Sequence, residues 1–214
     1  MTPSEIETMA REQYNAVGDT FWSQAEIFRL IYAASMEMAK ECLVVERTYT
    51  TTTVASTQEY AFPTNTISIK RATWYGKKLH PINFREDDAL TQNNSATTAS
   101  GNPQYYTEWN YTIALRPIPS TAQTLKLYTY SMPQAVSVTS TLDVPVMFHT
   151  DIVDFILYKM LGKDKNPVMM NHYFKLWIDH KLMAKQWALK KKKQDAYPVV
   201  MDEEQMAQTL LGVL

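Results

Sequence analysis

The stretch from Gly101 to Pro133 constrains the fold more than any other part of this 214-residue chain. It opens with a rigid Gly-x-Pro bend and continues into two segments with strand-like composition, Tyr105 to Leu115 and Thr124 to Ser131. Two prolines follow the first segment, and a proline cannot donate to a sheet ladder. The stretch therefore predicts antiparallel strands with a structural role rather than a catalytic one.

Apolar residues at helical spacing predict helices on both sides of this β region. Ser4 and Ser23 each precede a glutamate by three residues, which is the pattern of a capping box. We therefore expect two N-terminal helices, packed as an antiparallel hairpin and separated by Gly18, which is suited to end the first. The second helix has an apolar face made of Ile27, Leu30, Ile31, Ala34, Met38 and Cys42.

Two further helices are predicted after Pro145, the second of them beginning near Pro167. The last helix is expected to bury one face, which contains Tyr173, Leu176, Trp177, His180, Met183, Ala184 and Trp187. Four helices can then pack together.

Between the helices the apolar period changes to two. Additional strands are predicted at Thr48–Val54, Glu59–Pro63, Ile67–Tyr75 and Lys77–Ile82. The Thr-, Ser- and Asn-rich stretch from Leu90 to Asn102 is predicted to be a mobile loop that contacts a partner.

The predicted fold class is α+β: a four-helix bundle of two helical hairpins, with an inserted antiparallel β-sandwich or barrel and an extended C-terminal tail. The expected domains are an N-terminal helical hairpin (1–44), an inserted antiparallel β domain (45–140), a C-terminal helical hairpin packing on the first (141–193) and an extended docking tail (194–214).

Composition excludes several classes of protein. The hydrophobic content of 45% is enough for a sizeable core, so a chain disordered throughout is excluded. The formal charge of −1 gives no global attraction to nucleic acid or to an anionic membrane. The single cysteine, Cys42, excludes an internal disulfide and is predicted to be buried. The N-terminal residues lack the basic start and apolar run of a secretory signal, so we expect synthesis in a cytosol.

The end of the chain combines charge with apolar side chains. The run Lys190–Lys193 is followed by Asp202, Glu203 and Glu204 without further cations. Tyr197-Pro198 resists helix continuation, so the last residues are expected to be a tail. Exposed apolar residues there favour docking, either on the tail's own chain or on a neighbouring subunit. The candidate docking side chains are Tyr197, Met201, Met206, Leu210, Leu211 and Leu214.

The order of motifs along nearly the whole chain resembles the head-to-tail connector, or adaptor, proteins of tailed bacteriophages. The motifs are Tyr60-Ala61-Phe62-Pro63, the hairpin from Ile69 through Trp74-Tyr75-Gly76-Lys77-Lys78-Leu79, Gly101-Asn102-Pro103-Gln104-Tyr105-Tyr106, Leu115 to Pro119, Leu127-Tyr128 through Met132-Pro133, and Leu142-Asp143-Val144-Pro145.

The resemblance implies a structural virion protein that forms a homo-oligomeric ring, a dodecamer, at the capsid–tail junction. Such a ring joins the portal protein to a tail or nozzle protein and lines the passage for viral DNA, without sequence-specific contact and without a membrane. We expect assembly in the host cytoplasm. The resemblance also implies that the helices form the ring and meet the portal, that the β half faces the tail, and that the C-terminal segment docks on the portal.

Three groups of residues are candidates for these contacts. The tail side chains named above are assigned to portal docking. Ring and portal electrostatics are assigned to Lys185, Lys190, Lys191, Lys192, Lys193, Asp202, Glu203 and Glu204. Contact with the tail is assigned to the loop residues Thr91, Asn93, Asn94, Thr97 and Asn102.

Enzymatic, metal-binding, nucleic-acid-binding and carbohydrate-binding functions are the alternatives to this interpretation. The four histidines, His80, His149, His172 and His180, lie in unrelated sequence contexts, so we predict no enzyme, no metal and no cofactor. Two alternatives stay open. One is a nucleic-acid-binding module that uses Lys190–Lys193, and the other is a carbohydrate-binding β module with exposed tryptophans.

Overall fold

The architecture is known from a computed structural model that describes residues 1–18, 21–93 and 100–194, with the backbone alone described at 90–93 and 192–194. The α-helices of the described residues are α1 (Pro3–Tyr14), α2 (Gln24–Cys42), α3 (Phe84–Asn93), α4 (Asp151–Lys163) and α5 (Pro167–Gln194). A single 3-10 turn, Val146–Phe148, precedes α4. None of these helices combines the length and the apolar character needed to cross a membrane.

Local hydrogen bonds explain where the first two helices begin and end. The predicted cap at Ser23 is confirmed, because its Oγ accepts from the backbone N of Glu26 at 3.2 Å. The predicted cap at Ser4 is wrong, since Thr2 and Glu5 form the capping box instead. Helix α1 ends at Asn15, which has a left-handed φ of 59°, so Gly18 is not its terminator.

The strands form one large sheet and one small one. They are β1 (Glu46–Thr52), β2 (Glu59–Ala61), β3 (Thr66–Trp74), β4 (Lys77–Pro81), β5 (Ser100–Gly101), β6 (Tyr105–Trp109), β7 (Thr112–Arg116), β8 (Ile118–Pro119) and β9 (Thr124–Ser131). The large sheet has seven strands in the order β1-β9-β3-β4-β6-β7-β2, and β5 pairs with β8 alone. All pairs in the large sheet are antiparallel except β4 with β6.

The large sheet curls around its own core, so the predicted sandwich is wrong. Its two edge strands approach each other, because the hydroxyl of Tyr60 on β2 lies 3.0 Å from the backbone N of Val54, just beyond β1. The enclosed face buries Ala72, Trp74, Leu79, Tyr106, Ile113, Leu115, Leu125 and Leu127. One curled sheet covers these side chains from most sides, and a second facing sheet is not needed.

The predicted four-helix bundle is also wrong, although the mixed α+β composition holds. Helices α1, α2, α4 and α5 share one hydrophobic core. The segments that lead into and out of the sheet also contribute to this core, through Val44, Val45 and Val144. The helices therefore do not form a self-contained bundle into which a β domain is inserted. Cys42 lies in this core, as predicted, and burial raises the pKa of its thiol.

Two elements differ from the sequence-based expectation. Tyr105 to Leu115 is not one strand but the hairpin of β6 and β7, which turns at Asn110 and Tyr111 with φ values of 46° and 60°. No glycine marks this turn, so composition did not reveal it. The loop predicted from Leu90 to Asn102 is wrong near both ends, because α3 continues to Asn93 and Ser100–Gly101 form β5; positions 94–99 lie outside the described residues.

Candidate functional site

The predicted contact residues fall into described and undescribed parts of the chain. Lys185 and Lys190 are exposed on α5, Lys191 is partly buried there, and Asn102 is exposed after β5. Lys192 and Lys193 belong to α5, and Thr91 and Asn93 belong to α3, but only the backbone of these four residues is described. The remaining predicted residues lie outside the described residues: Asn94, Thr97, Tyr197, Met201, Asp202, Glu203, Glu204, Met206, Leu210, Leu211 and Leu214.

One lysine of the run at the end of α5, Lys191, is bound to the sheet. Lys191 Nζ donates to Glu46 Oε2 at 2.6 Å, and Lys70 Nζ on β3 donates to the other oxygen, Oε1, at 3.2 Å. Partial burial works to raise the pKa of Glu46, but the bonds from both lysines outweigh it and the pKa is lowered. The carboxylate thus joins the C-terminal end of α5 to the sheet, and Lys191 already has a partner in its own chain.

Helix α5 carries an apolar stripe that is exposed among the described residues. The α5 stripe consists of Phe174, Ile178, Leu182 and Leu189, each of which exposes between 41 and 54% of its surface. Spacings of four residues place the first three on one side of the helix. The flanking side of the helix buries Trp177, whose indole N donates to Glu37 Oε2 at 3.0 Å, and Ala184.

Apolar spacing predicted the buried side of α5 but not the exposed stripe. Trp177 and Ala184 are buried as predicted, whereas Met183, predicted to be buried with them, is 60% exposed. The four-residue spacing from Phe174 to Leu182 was the signal that could have revealed the stripe.

A second apolar surface lies on the β half of the molecule. This aromatic ridge consists of Phe84 at the start of α3 and Trp109 and Tyr111 at the tip of the β6–β7 hairpin, all exposed. The rings of Phe84 and Trp109 meet edge to face, with centroids 5.7 Å apart. Cavities of about 510 and 250 Å³ lie beside Trp109.

A buried ion pair supports the ridge from below. Arg116 on β7 donates from two guanidinium nitrogens to the two carboxylate oxygens of Asp87 on α3, at 2.8 and 3.1 Å. Asp87 is only 8% exposed, so the pair fixes α3 on the outside of the sheet. The sequence did not reveal this pair, because nothing local connects Asp87 with Arg116.

The outer face of strands β1, β9, β3 and β4 is basic. Its centre holds Arg71, Lys78 and Lys126, all exposed, and a groove of about 660 Å³ lies beside them. The groove is lined by Glu46, Arg47, Thr48, Lys70, Arg71, Lys78, Tyr128 and Thr129. Each strand contributes polar residues at alternate positions and strand pairing brings them together, so local patterns along the chain did not reveal their proximity.

The histidines have structural contacts. His149 is buried and its Nε2 lies 2.7 Å from the backbone oxygen of Val144; burial lowers its pKa. His180 bridges α5 to α4, with Nε2 at 2.8 Å from Asp154 Oδ2 and Nδ1 at 3.5 Å from Asp151 Oδ1. Among the described residues, no three His, Cys, Asp or Glu side chains are grouped as metal ligands.

Comparison with known proteins identifies the family. The family model described as SU10 adaptor protein matches residues 1–200, which is nearly the whole chain. No curated protein matches it. The match confirms the resemblance to phage head-to-tail adaptors seen in the order of motifs. The chain therefore belongs to the SU10 adaptor protein family and is a phage adaptor with a structural role.

Proposed function

We propose that the protein is the subunit of a closed ring, a dodecamer, that joins the capsid portal to the tail and surrounds the path of the viral DNA. The ring assembles in the host cytoplasm and stays in the virion at the capsid–tail junction. Membership of the adaptor family supports this function, and the exposed α5 stripe is the observation that carries it.

The α5 stripe has the chemistry of a subunit contact. Fully burying an exposed aliphatic or aromatic side chain contributes about 1.5–3 kcal/mol. The stripe residues are already half-buried, so a neighbour covering them gains about 1 kcal/mol for each, about 4 kcal/mol together. An exposed ion pair contributes only about 0 to 1 kcal/mol, so the stripe outweighs the lysines as a source of ring affinity.

A closed ring needs two different surfaces on each subunit, because a head-to-tail contact joins unlike patches. We assign the α5 stripe, on the portal side of the ring, to one of these two surfaces, and it packs against an unlike surface of the neighbouring subunit. The aromatic ridge is assigned to the tail side, together with the predicted contact residues Thr91, Asn93, Asn94, Thr97 and Asn102. Phe84 supports this assignment, since it opens the helix that leads directly into that segment.

The C-terminal tail provides the portal contact in this proposal. Tyr197, Met201, Met206, Leu210, Leu211 and Leu214 are its apolar anchors. Lys185, Lys190, Lys192 and Lys193 with Asp202, Glu203 and Glu204 set the local electrostatics. Lys191 contributes less, because its ammonium group is bound to Glu46.

The carbohydrate-binding alternative has less support. Trp109 is exposed as that alternative requires, but its ring stands at 74° to the ring of Phe84. The pair therefore does not offer a flat platform on which a sugar ring stacks.

The ring proposal is tested by making the α5 stripe polar. The double variant Ile178→Ser with Leu182→Ser removes two of its four side chains and is expected to weaken subunit association by about 2 kcal/mol, more than tenfold per contact. Sedimentation velocity and negative-stain images, with and without portal particles, measure ring formation.

The matched control is Val138→Ser with Val146→Ser, which removes two exposed valines outside α5. The control is expected to form rings like the unchanged protein, and circular dichroism checks that both variants fold. Rings of unchanged stability from the α5 variant would contradict the assignment of this stripe.

A further inference from the structure

The basic face of the large sheet has a regular arrangement and includes no residue of the α5 stripe or the aromatic ridge. Strand register places outward-facing residues of neighbouring strands side by side, with Cβ atoms about 5 Å apart. One row across the sheet is Thr50, Lys126, Thr73 and Lys78, and the next is Thr48, Tyr128 and Arg71. The first row alternates hydroxyl groups and cations over four strands, with Thr73 buried, and the second row adds two hydroxyl groups and one cation over three strands.

The central cations of this face are available to a partner. No described carboxylate forms an ion pair with Arg71, Lys78 or Lys126. Arg71 lies 5.9 Å from the ring centroid of Tyr128, which orients the guanidinium without neutralising it. Glu46 is the one acidic residue that lines the adjacent groove, and Lys70 and Lys191 neutralise it.

The basic face continues onto α5. Because Glu46 holds both Lys70 on β3 and Lys191 near the end of α5, the helix C-terminus is fixed at the edge of the sheet. The exposed Lys190 lies next to this contact. Lys191 and Lys70 therefore connect the sheet cations with the end of α5, on a protein whose net charge is only −1.

We infer that this face binds the phosphate backbone of duplex DNA. Lysine, arginine, threonine and tyrosine side chains are the groups that commonly contact phosphates, and contacts of this kind do not read sequence. Protein interfaces instead have an apolar centre depleted of charge, which the α5 stripe offers and this face lacks. The inference deepens the proposed ring function and rests on it, since the DNA is that which passes through the ring.

The test is a titration of labelled duplex DNA of arbitrary sequence with the full-length protein, followed by fluorescence anisotropy. Binding of the unchanged protein is expected to weaken steeply from about 50 to about 200 mM salt and to be independent of sequence, because counterions are released. The triple variant Arg71→Gln, Lys78→Gln, Lys126→Gln is expected to reduce the slope of log K against log salt by about 2 to 3, at about 0.9 per lost phosphate contact.

A matched control separates this face from net charge alone. Lys40→Gln, Lys165→Gln and Lys175→Gln remove the same charge from three exposed lysines outside the sheet. The control is expected to keep the slope of the unchanged protein. No binding by the unchanged protein at about 50 mM salt, or an equal loss in the control, overturns the proposal.

Ring formation by the same triple variant distinguishes the possible failures. If DNA binding is unchanged while rings still form, the assignment of this face fails and the ring function stands. If rings are lost in the absence of DNA, the face is a contact between copies of this chain, which also overturns the proposal. If DNA binding falls as expected but the unchanged protein forms no ring, the face is confirmed and the ring function fails.

Discussion

Single polar contacts between distant residues decide how the elements of this protein meet. The indole N of Trp177 donates to Glu37, 140 residues away in the sequence, and ties α5 to α2. The indole N of Trp74 donates to Thr53 Oγ1 at 3.1 Å inside the sheet. Buried donors need such partners, because leaving one unpaired costs about 1 to 3 kcal/mol.

The ion pair of Arg116 and Asp87 gives a prediction at this scale. Replacing Arg116 by methionine leaves the Asp87 carboxylate without its bidentate partner in a nearly buried site. We expect the free energy of unfolding to fall by about 2 to 3 kcal/mol, somewhat less than for a fully buried pair. Urea denaturation measures the change.

Two further variants give this prediction its controls. Arg85→Met changes an exposed arginine two residues before Asp87 and is expected to have little effect. Arg116→Met combined with Asp87→Leu removes both charges and is expected to recover most of the loss. Equal destabilisation by Arg85→Met and Arg116→Met would disprove the importance of the pair.

At the scale of elements, several chain reversals use left-handed residues other than glycine. Asn15 ends α1, Leu43 ends α2 with a φ of 56°, and Lys165 joins α4 to α5 with a φ of 57°. A side chain in this region costs about 1 to 2 kcal/mol, so packing of the flanking helices must hold these residues in place.

Lys165 tests this cost directly. Its side chain is exposed, so Lys165→Gly is expected to stabilise the protein by about 0.5 to 1 kcal/mol by relieving the strained φ. Lys165→Ala removes the same charge but keeps the Cβ, and we expect no comparable gain. Thermal and urea unfolding of the two variants provide the comparison, and equal stability of both would refute the explanation.

At the scale of the whole molecule, exposed surfaces of different chemistry lie on different elements. The α5 stripe is apolar and belongs to the helical layer, whereas the aromatic ridge and the basic face lie on two halves of the same sheet. Such separation suits a subunit that meets several partners at once, because each contact forms without covering another.

The C-terminal tail gives the prediction at this scale. Deleting residues 196–214 is expected to abolish co-sedimentation with portal particles while the monomer keeps its fold, because the tail's apolar side chains supply the portal contact. Sedimentation with purified portal and circular dichroism measure the two effects. Unchanged binding after the deletion would reject the role of the tail.

Two full-length variants separate apolar from charged contributions in the tail. Serine at Met206, Leu210 and Leu211 is expected to reproduce the deletion. Asp202→Asn with Glu203→Gln and Glu204→Gln is expected to weaken binding far less, since exposed ion pairs contribute about 0 to 1 kcal/mol each. A larger loss in the charge variant would contradict apolar anchoring.

Periodicity predicted several elements well and failed where local signals were weak. Helix α2 and strand β9 follow their apolar patterns closely, with Ile27, Ile31, Met38, Leu125 and Leu127 buried. Helix α3 was missed because none of its described side chains, at residues 84–89, belongs to an apolar core; the ion pair of Asp87 with Arg116 holds the helix on the sheet. The predicted sandwich failed because alternation identifies an inward face without saying what covers it.

The sequence alone determined most of the helical and strand segments, many of the side chains that face inward, and membership of the adaptor family. Those properties depend on near neighbours and on the order of motifs along the chain. Only the tertiary structure decided that the sheet curls around its own core, that α5 leaves Ile178 and Leu182 uncovered, and that Arg71, Lys78 and Lys126 meet on one face. Such features arise from packing and pairing between residues far apart in the chain, and local patterns do not contain them.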